Sequence, residues 1–432
     1  MLSKKQVIRV CLFLAVMWIL LLSAQVFGKT VVTVWRREVP AHAPWYDYVK
    51  ENFEKAYPDI TLEWVTSGGN DNDFLTIRAL AGQLPMITDS NQATAAKLIS
   101  EGAAISLNHF PDFSTVTSRY TAFGKAFIKA KGPNDVIDDY LLPYGGATNC
   151  SAINARLAQE LGLNPNNYPK YWDEWLQWSR KMTRDTDGNN QPDIYGTELP
   201  VGGAAWQMNS VLWQLHAVQN NWTFQDNGKN VFRTQYDSAN RWFQFMQDLA
   251  PYAPPASYPD NAWGTGKQGL MILANSPTLA SWKSLSVYPD VKYIPHLQVS
   301  ATHKQWLNGG FAGFIMWGQT ARTTEQQQAA WTVMKYLTGP ESLVKRLEVI
   351  GEIPAYTMPL PYYLMAYQPF IEAASRTNTT AMRGEDPLYS NPDYGQIREK
   401  VFARYLSVIK NDAGPNQALD ALILDIDPFF AK

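Results

Sequence analysis

The sequence predicts an α/β protein of two domains. Three observations favour this class: a strand–helix–strand unit near the start of the chain, amphipathic helices that follow it, and the length. Removal of a leader of 28 residues from the 432 leaves 404, which is too many for one ordinary hydrophobic core and suits two domains.

The leader, residues 1–28, has the pattern of a secretory signal peptide. An apolar run at residues 10–22 follows the basic residues Lys4, Lys5 and Arg9, and a cleavage site with a small residue is predicted near Gly28. The run is too short for an ordinary membrane-spanning helix. We therefore expect an exported protein, periplasmic or extracellular, that is soluble after cleavage; retention of the segment as an anchor is the alternative.

Composition narrows the function classes. Cys11 lies in the leader and Cys150 in the mature chain, so no internal disulfide is expected. The leader contains three of the 37 basic residues, so the mature chain has 34 basic residues against 39 acidic ones. The sequence has no stripe of basic residues of the kind that binds nucleic acid. Aromatic residues make up 13% of the chain and 16 of them are Trp, more than core filling usually requires. Some of these indoles are predicted to form binding surfaces.

The strand–helix–strand unit occupies residues 31–65. The apolar run "VVTVW" at 31–35 is typical of a strand buried on both faces of a parallel sheet, and "ITLEWV" at 60–65 alternates as a second strand. Between them a helix that ends before Pro58 is predicted from apolar residues at helical spacing: Trp45, Val49, Phe53 and Ala56. The unit predicts a parallel pair with a right-handed crossover.

Two later helices have clear boundaries. One is predicted to start at Thr324, with its side chain as the cap and Gln327 reaching back, and to end at Gly339-Pro340. The other runs from Trp172 to Met182 and places Trp172 and Trp175 on one face, where we expect both to be core residues.

The stretch "DTDGNNQPDIYG" at residues 185–196 follows this second helix. Four side chains match the spacing of a calcium loop: Asp185, Asp187, Asn189 and Asp193. The loop has Asn190 where glycine is required and Gly196 where a bidentate glutamate is required. We therefore expect a polar corner, with calcium binding as the alternative, and we predict no metal or other cofactor.

The motifs of the common enzyme classes are missing from the sequence. The five histidines are scattered, and the sequence contains no nucleophile elbow, P-loop or dinucleotide fingerprint. Paired carboxylates for glycosidase chemistry arise only on folding, and nothing singles out one pair among 39 acids. A non-enzymatic function is favoured.

Several segments, taken in order, resemble the extracellular solute-binding proteins of ABC sugar importers, the family that includes maltose-binding protein. The resemblance rests on "VVTVW", "FEKAYPDITLEW", "IRALAGQLPMI", "LPYGGATNCSAINARLAQELGL", "YPKYWDEW", "DTDGNNQPDIYG", "KQGLMILANSPTLASW", "NGGFAGFIMWGQT", "AAWTVMKYLTGPES" and "MRGEDPLYSNPDYGQIREKV". It implies the periplasmic-binding-protein fold, in which two doubly wound lobes are joined by a multi-strand hinge and the ligand cleft lies between them.

The resemblance also implies a division of the chain. Lobe 1 is expected at residues 29–142 plus 304–350 and lobe 2 at residues 147–300 plus 356–432. The hinge crossings are expected at residues 143–146, 299–303 and 351–355.

Aromatic and polar residues near the expected cleft are the candidate ligand-binding residues, because sugar rings stack on indoles and sugar hydroxyls bond to polar side chains. They are Trp35, Arg37, Trp45, Asp71, Asn72, Asp89, Tyr144, Trp206, Trp263, Trp282, Trp306, Gly310 and Arg383. Each has a structural alternative. Trp35 and Tyr144 fit strand-end packing as well as a cleft, the polar residues fit caps or solvated loops, and Arg383 fits an ion pair with Glu385 or Asp386.

The resulting hypothesis is a monomeric receptor that binds a carbohydrate, in particular an oligosaccharide, and delivers it to the permease subunits of an ABC transporter in the membrane. One alternative is a secreted carbohydrate-active enzyme or lectin-like module. Another is a receptor for a polyol or a glycerol phosphate compound, although few basic residues near the expected cleft argue against a phosphate ligand.

Overall fold

The structure is a computed structural model that describes residues 29–67, 71–202, 205–218, 225–226, 229–255, 262–277, 279, 287–303, 306–307, 309–375, 380–381 and 394–430. The leader, and with it the predicted signal peptide, lies outside these residues. Across the described ranges, no helix combines the length and apolar character that crossing a membrane requires.

The strands are β1 Thr30–Arg37, β2 Ile60–Ser67, β3 Ile87–Ser90, β4 Lys129–Lys131, β5 Ile137–Asp139, β6 Leu141–Asn154, β7 Gln225–Asp226, β8 Lys229–Asn230, β9 Leu270–Asn275, β10 Val291–Ile294, β11 Trp306–Leu307, β12 Gly309–Met316, β13 Ile353–Pro354 and β14 Thr380–Ala381. The helices are α1 Ala43–Ala56, α2 Asp71–Leu80, α3 Gln92–Ser100, α4 Phe113–Ser118, α5 Ala122–Ala126, α6 Ala155–Glu160, α7 Trp172–Met182, α8 Ala205–Ala217, α9 Val231–Thr234, α10 Tyr236–Leu249, α11 Thr324–Leu337, α12 Pro340–Ile350, α13 Gln368–Ser375, α14 Tyr394–Ile409 and α15 Pro415–Ile426.

The main sheet has the order β10-β6-β12-β3-β1-β2, with β13 and β9 also paired to β6. β1 is parallel to both β2 and β3, which confirms the predicted strand–helix–strand unit. β12 is antiparallel to β3 and to β6, so β6 runs in the same direction as the three parallel strands. This mixed sheet with covering helices is that of the predicted periplasmic-binding-protein fold.

Two large hydrophobic cores lie along the chain, and β6 contributes to both. The first core takes residues from 32–150 and 311–371 together with Leu279, and the second takes residues from 153–299 and 397–430. Leu142, near the start of β6, belongs to the first core, and Ile153, near its end, belongs to the second. A single strand of 14 residues therefore connects the two cores.

Two of the expected hinge crossings lie side by side. Ile353 and Pro354 pair with Gly146 and Gly145, and the Ala355 N–H donates to the Tyr144 carbonyl. The third crossing begins at Val299, which is buried in the second core. The division of the chain into lobes stays a proposal, and the contacts of residues 356–371 bear on it.

The segment after residue 355, assigned to lobe 2 from the sequence, packs on the first core. Tyr356, Leu364, Tyr367 and Phe370 are all buried there. These apolar contacts favour assigning residues 356–371 to lobe 1 in the proposed division.

Local signals located the helices well. Trp172 and Trp175 are buried core residues, as predicted, and the Trp175 indole N–H donates to Thr197 Oγ1. The predicted cap at Thr324 is wrong by one residue: Thr323 Oγ1 accepts from the Gln326 N–H, and Gln326 Oε1 accepts from the Thr323 N–H. Thr323 also has the extended backbone conformation that a cap residue needs.

Candidate functional site

One edge of the sheet collects the ends of β1, β2 and β3. Because these strands are parallel, Arg37, Ser67 and Ser90 end on the same side, and α1, α2 and α3 begin after them. In doubly wound sheets, ligands bind at this carboxyl edge. β6 passes the same edge. Phe314 of β12 pairs with Asp89 of β3 on one side and with Leu142 of β6 on the other, so Asp89 and Leu142 lie at the same height in the sheet. Tyr144 lies two residues further along.

At this edge the Arg346 guanidinium contacts four side chains. Arg346 is 2% exposed and lies on α12, just before its last turn. Its Nε donates to Glu352 Oε2 over 2.6 Å, and its Nη2 lies 3.8 Å from Asp89 Oδ2. Its Cζ lies 4.4 Å from the ring centroid of Trp45 and 3.7 Å from that of Tyr144. Cation–π attraction of this kind strengthens when water is excluded.

Asp89 and Tyr144 also bond to each other. The Tyr144 hydroxyl donates to Asp89 Oδ1 over 2.9 Å, and the two residues are only 4% and 7% exposed, respectively. A carboxylate that is buried in this way needs a counter-charge, and Arg346 supplies it. The three residues come from three separated stretches of the chain, so only the fold brings them together.

The charges of this cluster reinforce one another. Burial disfavours a charged guanidinium, but the carboxylate of Glu352, followed by Tyr144 and Asp89, raises the pKa of Arg346. Burial, and secondarily the charge of Asp89, raises the pKa of Tyr46. Arg346 is therefore a fixed positive charge and Tyr46 a neutral phenol at any physiological pH.

A layer of aromatic rings lies beside the cluster. Trp45, Tyr46 and Trp64 contact one another with centroid distances of 4.9–6.2 Å, and Arg36 lies over Tyr46 at 4.1 Å. The Trp45 indole N–H donates to the Ser342 carbonyl, which fixes the ring against α12. The edge thus combines aromatic side chains with a carboxylate, the residue types that recognise polyhydroxylated ligands. Trp45 and Tyr46 are buried in this structure and Trp64 is half-buried.

Three of the predicted ligand-binding residues meet at Arg346: Trp45, Asp89 and Tyr144. Trp35 lies at the same edge, where its ring stacks on Phe74 at 5.0 Å. Gly310 pairs with Ala147 on β6, three residues beyond Tyr144. The contacts of Trp35 and Trp45 are those of packed side chains, and their role toward a ligand stays a prediction.

The remaining predicted residues divide into three groups. Trp263 is 2% exposed and packs on Ala152, Met271, Ala274 and Val287. For others the backbone is placed but the side chain lies outside the described part of the structure: Arg37 at the end of β1, Asp71 and Asn72 at the start of α2, Trp206 in α8 and Trp306 in β11. Trp282 and Arg383 lie wholly outside the described residues.

Neither Arg346 nor Glu352 was predicted as a site residue from the sequence. A signal was present, because the apolar face of α12 carries Leu343, Leu347 and Ile350, and Arg346 interrupts that face. A charged residue on an apolar helix face indicates a buried ion pair. Its partners lie on other elements and could not be named from spacing.

The loop at residues 185–196 folds as a corner. Asp185 Oδ1 accepts from the Gly188 and Asn189 N–H groups, Asp187 Oδ1 accepts from the Asn189 N–H, and Asp193 Oδ1 accepts from the Thr186 N–H. These bonds are local and turn the chain back, with Arg184 bridged to Ile194. Within the described residues no group of three or more His, Cys, Asp or Glu is placed to hold a metal ion. Whether the loop binds calcium stays a question for experiment.

Comparison with known proteins agrees with this architecture. The model of a family described as bacterial extracellular solute-binding protein matches residues 38–343. A search of curated proteins finds no match.

Among solved structures, the sugar-binding protein MalE from Xanthomonas citri aligns with a TM-score of 0.73 at 16% identity, over 93% of this chain and 98% of that one. The cyclic α-maltosyl-1,6-maltose binding protein from Arthrobacter globiformis gives 0.71 at 17% identity, over 94% and 100%. An ABC transporter solute-binding protein from Thermotoga lettingae, bound with α-D-tagatose, gives 0.65 at 18% identity, over 93% and 100%.

Proposed function

We propose that this chain, which belongs to the family of bacterial extracellular solute-binding proteins, binds a carbohydrate between its two lobes and delivers it to an ABC transporter permease. The observation that carries the proposal is the edge where Trp45, Asp89 and Tyr144 meet at Arg346. Solved proteins of the same fold that hold maltose, maltotriose or tagatose support a sugar as the ligand.

The chemistry of the edge favours a neutral polyhydroxylated ligand. Aromatic faces take the apolar faces of sugar rings, and a carboxylate accepts hydrogen bonds from hydroxyl groups. The Arg346 charge is compensated by Glu352 and Asp89, so this cluster offers little net attraction to a phosphate. Within the carbohydrates we propose an oligosaccharide, because several sugar rings can use several aromatic side chains.

Delivery requires a closed, ligand-loaded form that differs from the open one. Contacts that both lobes make to the sugar only when closed shift the equilibrium toward closure. The crossings at residues 143–146 and 351–355, paired as antiparallel strands, are the proposed axis of this motion. In this proposal the protein is exported, acts as a monomer, carries no cofactor and does not alter its ligand chemically.

The first test is thermal unfolding of residues 29–432 with glucose, maltose, maltotriose, sucrose, sorbitol, glycerol 3-phosphate and calcium. A ligand present at 100 times its dissociation constant stabilises the folded state by about 2.7 kcal/mol, which raises the midpoint by a few degrees. A shift with sugars that are recovered intact supports the receptor. Release of reducing ends would support a carbohydrate-active enzyme, and silence with every sugar would contradict the proposal.

A matched pair of variants tests the site itself. Tyr144→Phe removes the hydroxyl that donates to Asp89, and Tyr356→Phe removes a hydroxyl that donates to the Thr338 carbonyl over 3.0 Å. Both tyrosines are buried, so each variant loses about 1 kcal/mol of stability. We expect Tyr144→Phe alone to weaken sugar binding about tenfold. Equal affinities in the two variants would place the sugar elsewhere.

A further inference from the structure

Arg346 joins two parts of the molecule that have different tasks. Asp89 belongs to β3 at the carboxyl edge, whereas Glu352 belongs to the crossing between α12 and β13. Tyr144, whose ring lies 3.7 Å from the Arg346 Cζ, belongs to the crossing within β6. One buried guanidinium therefore touches the proposed ligand site and both paired hinge crossings.

The two carboxylates hold Arg346 unequally. Glu352 makes a direct hydrogen bond of 2.6 Å to Nε, while Asp89 lies at 3.8 Å, beyond hydrogen-bond distance. In the described part of the chain, Arg346 Nη1 has no hydrogen-bond partner. Glu352 therefore determines the orientation of the planar guanidinium. That orientation in turn sets the distance of the guanidinium from Asp89 and from the ring of Tyr144.

The backbone transmits the same connection. The Ala355 N–H donates to the Tyr144 carbonyl over 3.1 Å, three residues after Glu352. A movement of residues 351–355 carries Glu352 with it, so it has to move Arg346 as well or break the bond between Glu352 and Arg346. Either event changes the support of Tyr144 and the counter-charge of Asp89.

We propose that Arg346 is a positioning residue that couples the ligand-binding side chains Asp89 and Tyr144 to the hinge crossing at Glu352. The proposal rests on the proposed function for its ligand, but the mechanical connection exists without one. By reciprocity, a change at the hinge end alters ligand affinity, and a change at the ligand end alters hinge stability. Arg346 acts through its neighbours and needs no contact with the sugar.

The ligand-free test is amide hydrogen exchange in peptides covering residues 141–147 and 351–356. We expect Glu352→Gln and Asp89→Asn each to exchange about tenfold faster than the unaltered protein in both peptides, because each loosens one end of the connection. Arg346→Met should do the same, and Arg346→Lys should restore part of the protection because it keeps the charge. Unchanged exchange in all four variants overturns the proposal.

Arg404→Met, which removes a second arginine–carboxylate pair away from the hinge, is the control for location. Arg404 bonds to Asp425 through Nε and Nη2 over 2.9 and 2.7 Å, between α14 and α15, two helices whose apolar faces belong to the second core. Its replacement should speed exchange in residues 394–430 and leave the two hinge peptides unchanged. If it loosens the hinge equally, the effect of Arg346 is general destabilisation and the coupling is refuted.

The second arm uses maltotriose, titrated by tryptophan fluorescence. We expect Glu352→Gln, a hinge substitution, to weaken binding about fivefold, while Arg404→Met leaves it unchanged. Binding that is equal in Glu352→Gln and the unaltered protein refutes the coupling but not the receptor. If no variant binds maltotriose, the exchange experiment still decides the coupling, and the proposed function is judged separately by the sugar panel.

Discussion

Replacement of Arg346 by Met is expected to be the most destabilising single substitution in the candidate site. Methionine fills a similar volume but leaves Glu352 and Asp89 with no positive partner at Arg346. At an effective dielectric constant of about 20, a unit charge at the observed 2.6 and 3.8 Å interacts with each carboxylate by about 4–6 kcal/mol. Desolvation of the guanidinium offsets part of this, because Arg346 is 2% exposed. We expect a net loss of about 3–5 kcal/mol in the free energy of unfolding.

Urea unfolding, followed by both circular dichroism and tryptophan fluorescence, measures this loss. The double variant Arg346→Met/Glu352→Gln should recover about 1–2 kcal/mol, since it also removes one of the two uncompensated charges. Arg404→Met should cost about 1 kcal/mol or less, because that side chain is 36% exposed and solvent screens its pair with Asp425. A loss for Arg346→Met below about 1 kcal/mol, with no recovery in the double variant, would refute the buried network.

Three further results are expected. Gly145→Ala should lower stability by about 2 kcal/mol or more, because φ is +133° there and a Cβ would overlap the Ile353 carbonyl. Burial lowers the pKa of His296 from 6.5 to about 4, although a hydrogen bond to the backbone of Ile272 acts in the opposite direction. The folded state therefore favours the neutral imidazole, and the resulting contribution to the free energy of unfolding is complete above pH 6.5. The free energy of unfolding should fall by about 1–2 kcal/mol between pH 7 and pH 5, and His296→Gln should flatten that slope. Trp263→Ala should cost about 3–5 kcal/mol, because its ring is almost completely enclosed.

The midpoints of urea unfolding measure the stability change in all three cases. Each expectation has a control variant or a defined alternative outcome. Gly188→Ala shares the positive φ, at 75°, but has open space around the added Cβ, so a loss as large as that of Gly145→Ala would contradict the overlap argument. His303 also has a lowered pKa, from burial, and His303→Gln tests whether the pH slope belongs to His296 alone. If Trp263→Ala keeps its stability but loses sugar affinity, the indole lines the cleft.

Local periodicity was sufficient for the first part of the fold. β1, α1 and β2 were predictable because each buries a face whose spacing is visible within 15 residues, and α7 was predicted with its observed bounds. The cap of α11 was misplaced by one residue because Thr323 and Thr324 offer the same side chain. Only the backbone conformation distinguishes them.

The strand β6 was harder to predict because its sequence opposes a strand. Pro143, Gly145 and Gly146 interrupt "LLPYGGATNCSAIN", and such residues disfavour a central strand. The structure accommodates Pro143 next to an irregularity in the pairing, where the register shifts between Ala312 and Gly313. An irregularity of this kind depends on a partner strand about 170 residues away in the chain, which no local pattern reports.

The candidate site shows the same limit. Asp89 and Tyr144 could be chosen one at a time, as polar and aromatic residues after buried strands. Arg346 could be recognised only as an anomaly on α12, and its partners needed the fold. Pairings between elements far apart in sequence decide buried charge networks, so the chemistry of the site is less predictable than its position.

The irregular residues of β6 also explain how the proposed ligand site and the proposed hinge share side chains. A hinge between two cores has to change torsion angles without stretching, and a hydrogen-bonded pair of short strands containing glycine meets that requirement. Gly145 and Gly146 pair with Pro354 and Ile353, and Tyr144 precedes them directly at the carboxyl edge. A torsional change at Gly145 therefore reorients Tyr144 first, and with it the hydroxyl bonded to Asp89. In such an arrangement, ligand contact and lobe movement influence each other directly, without a chain of intervening residues.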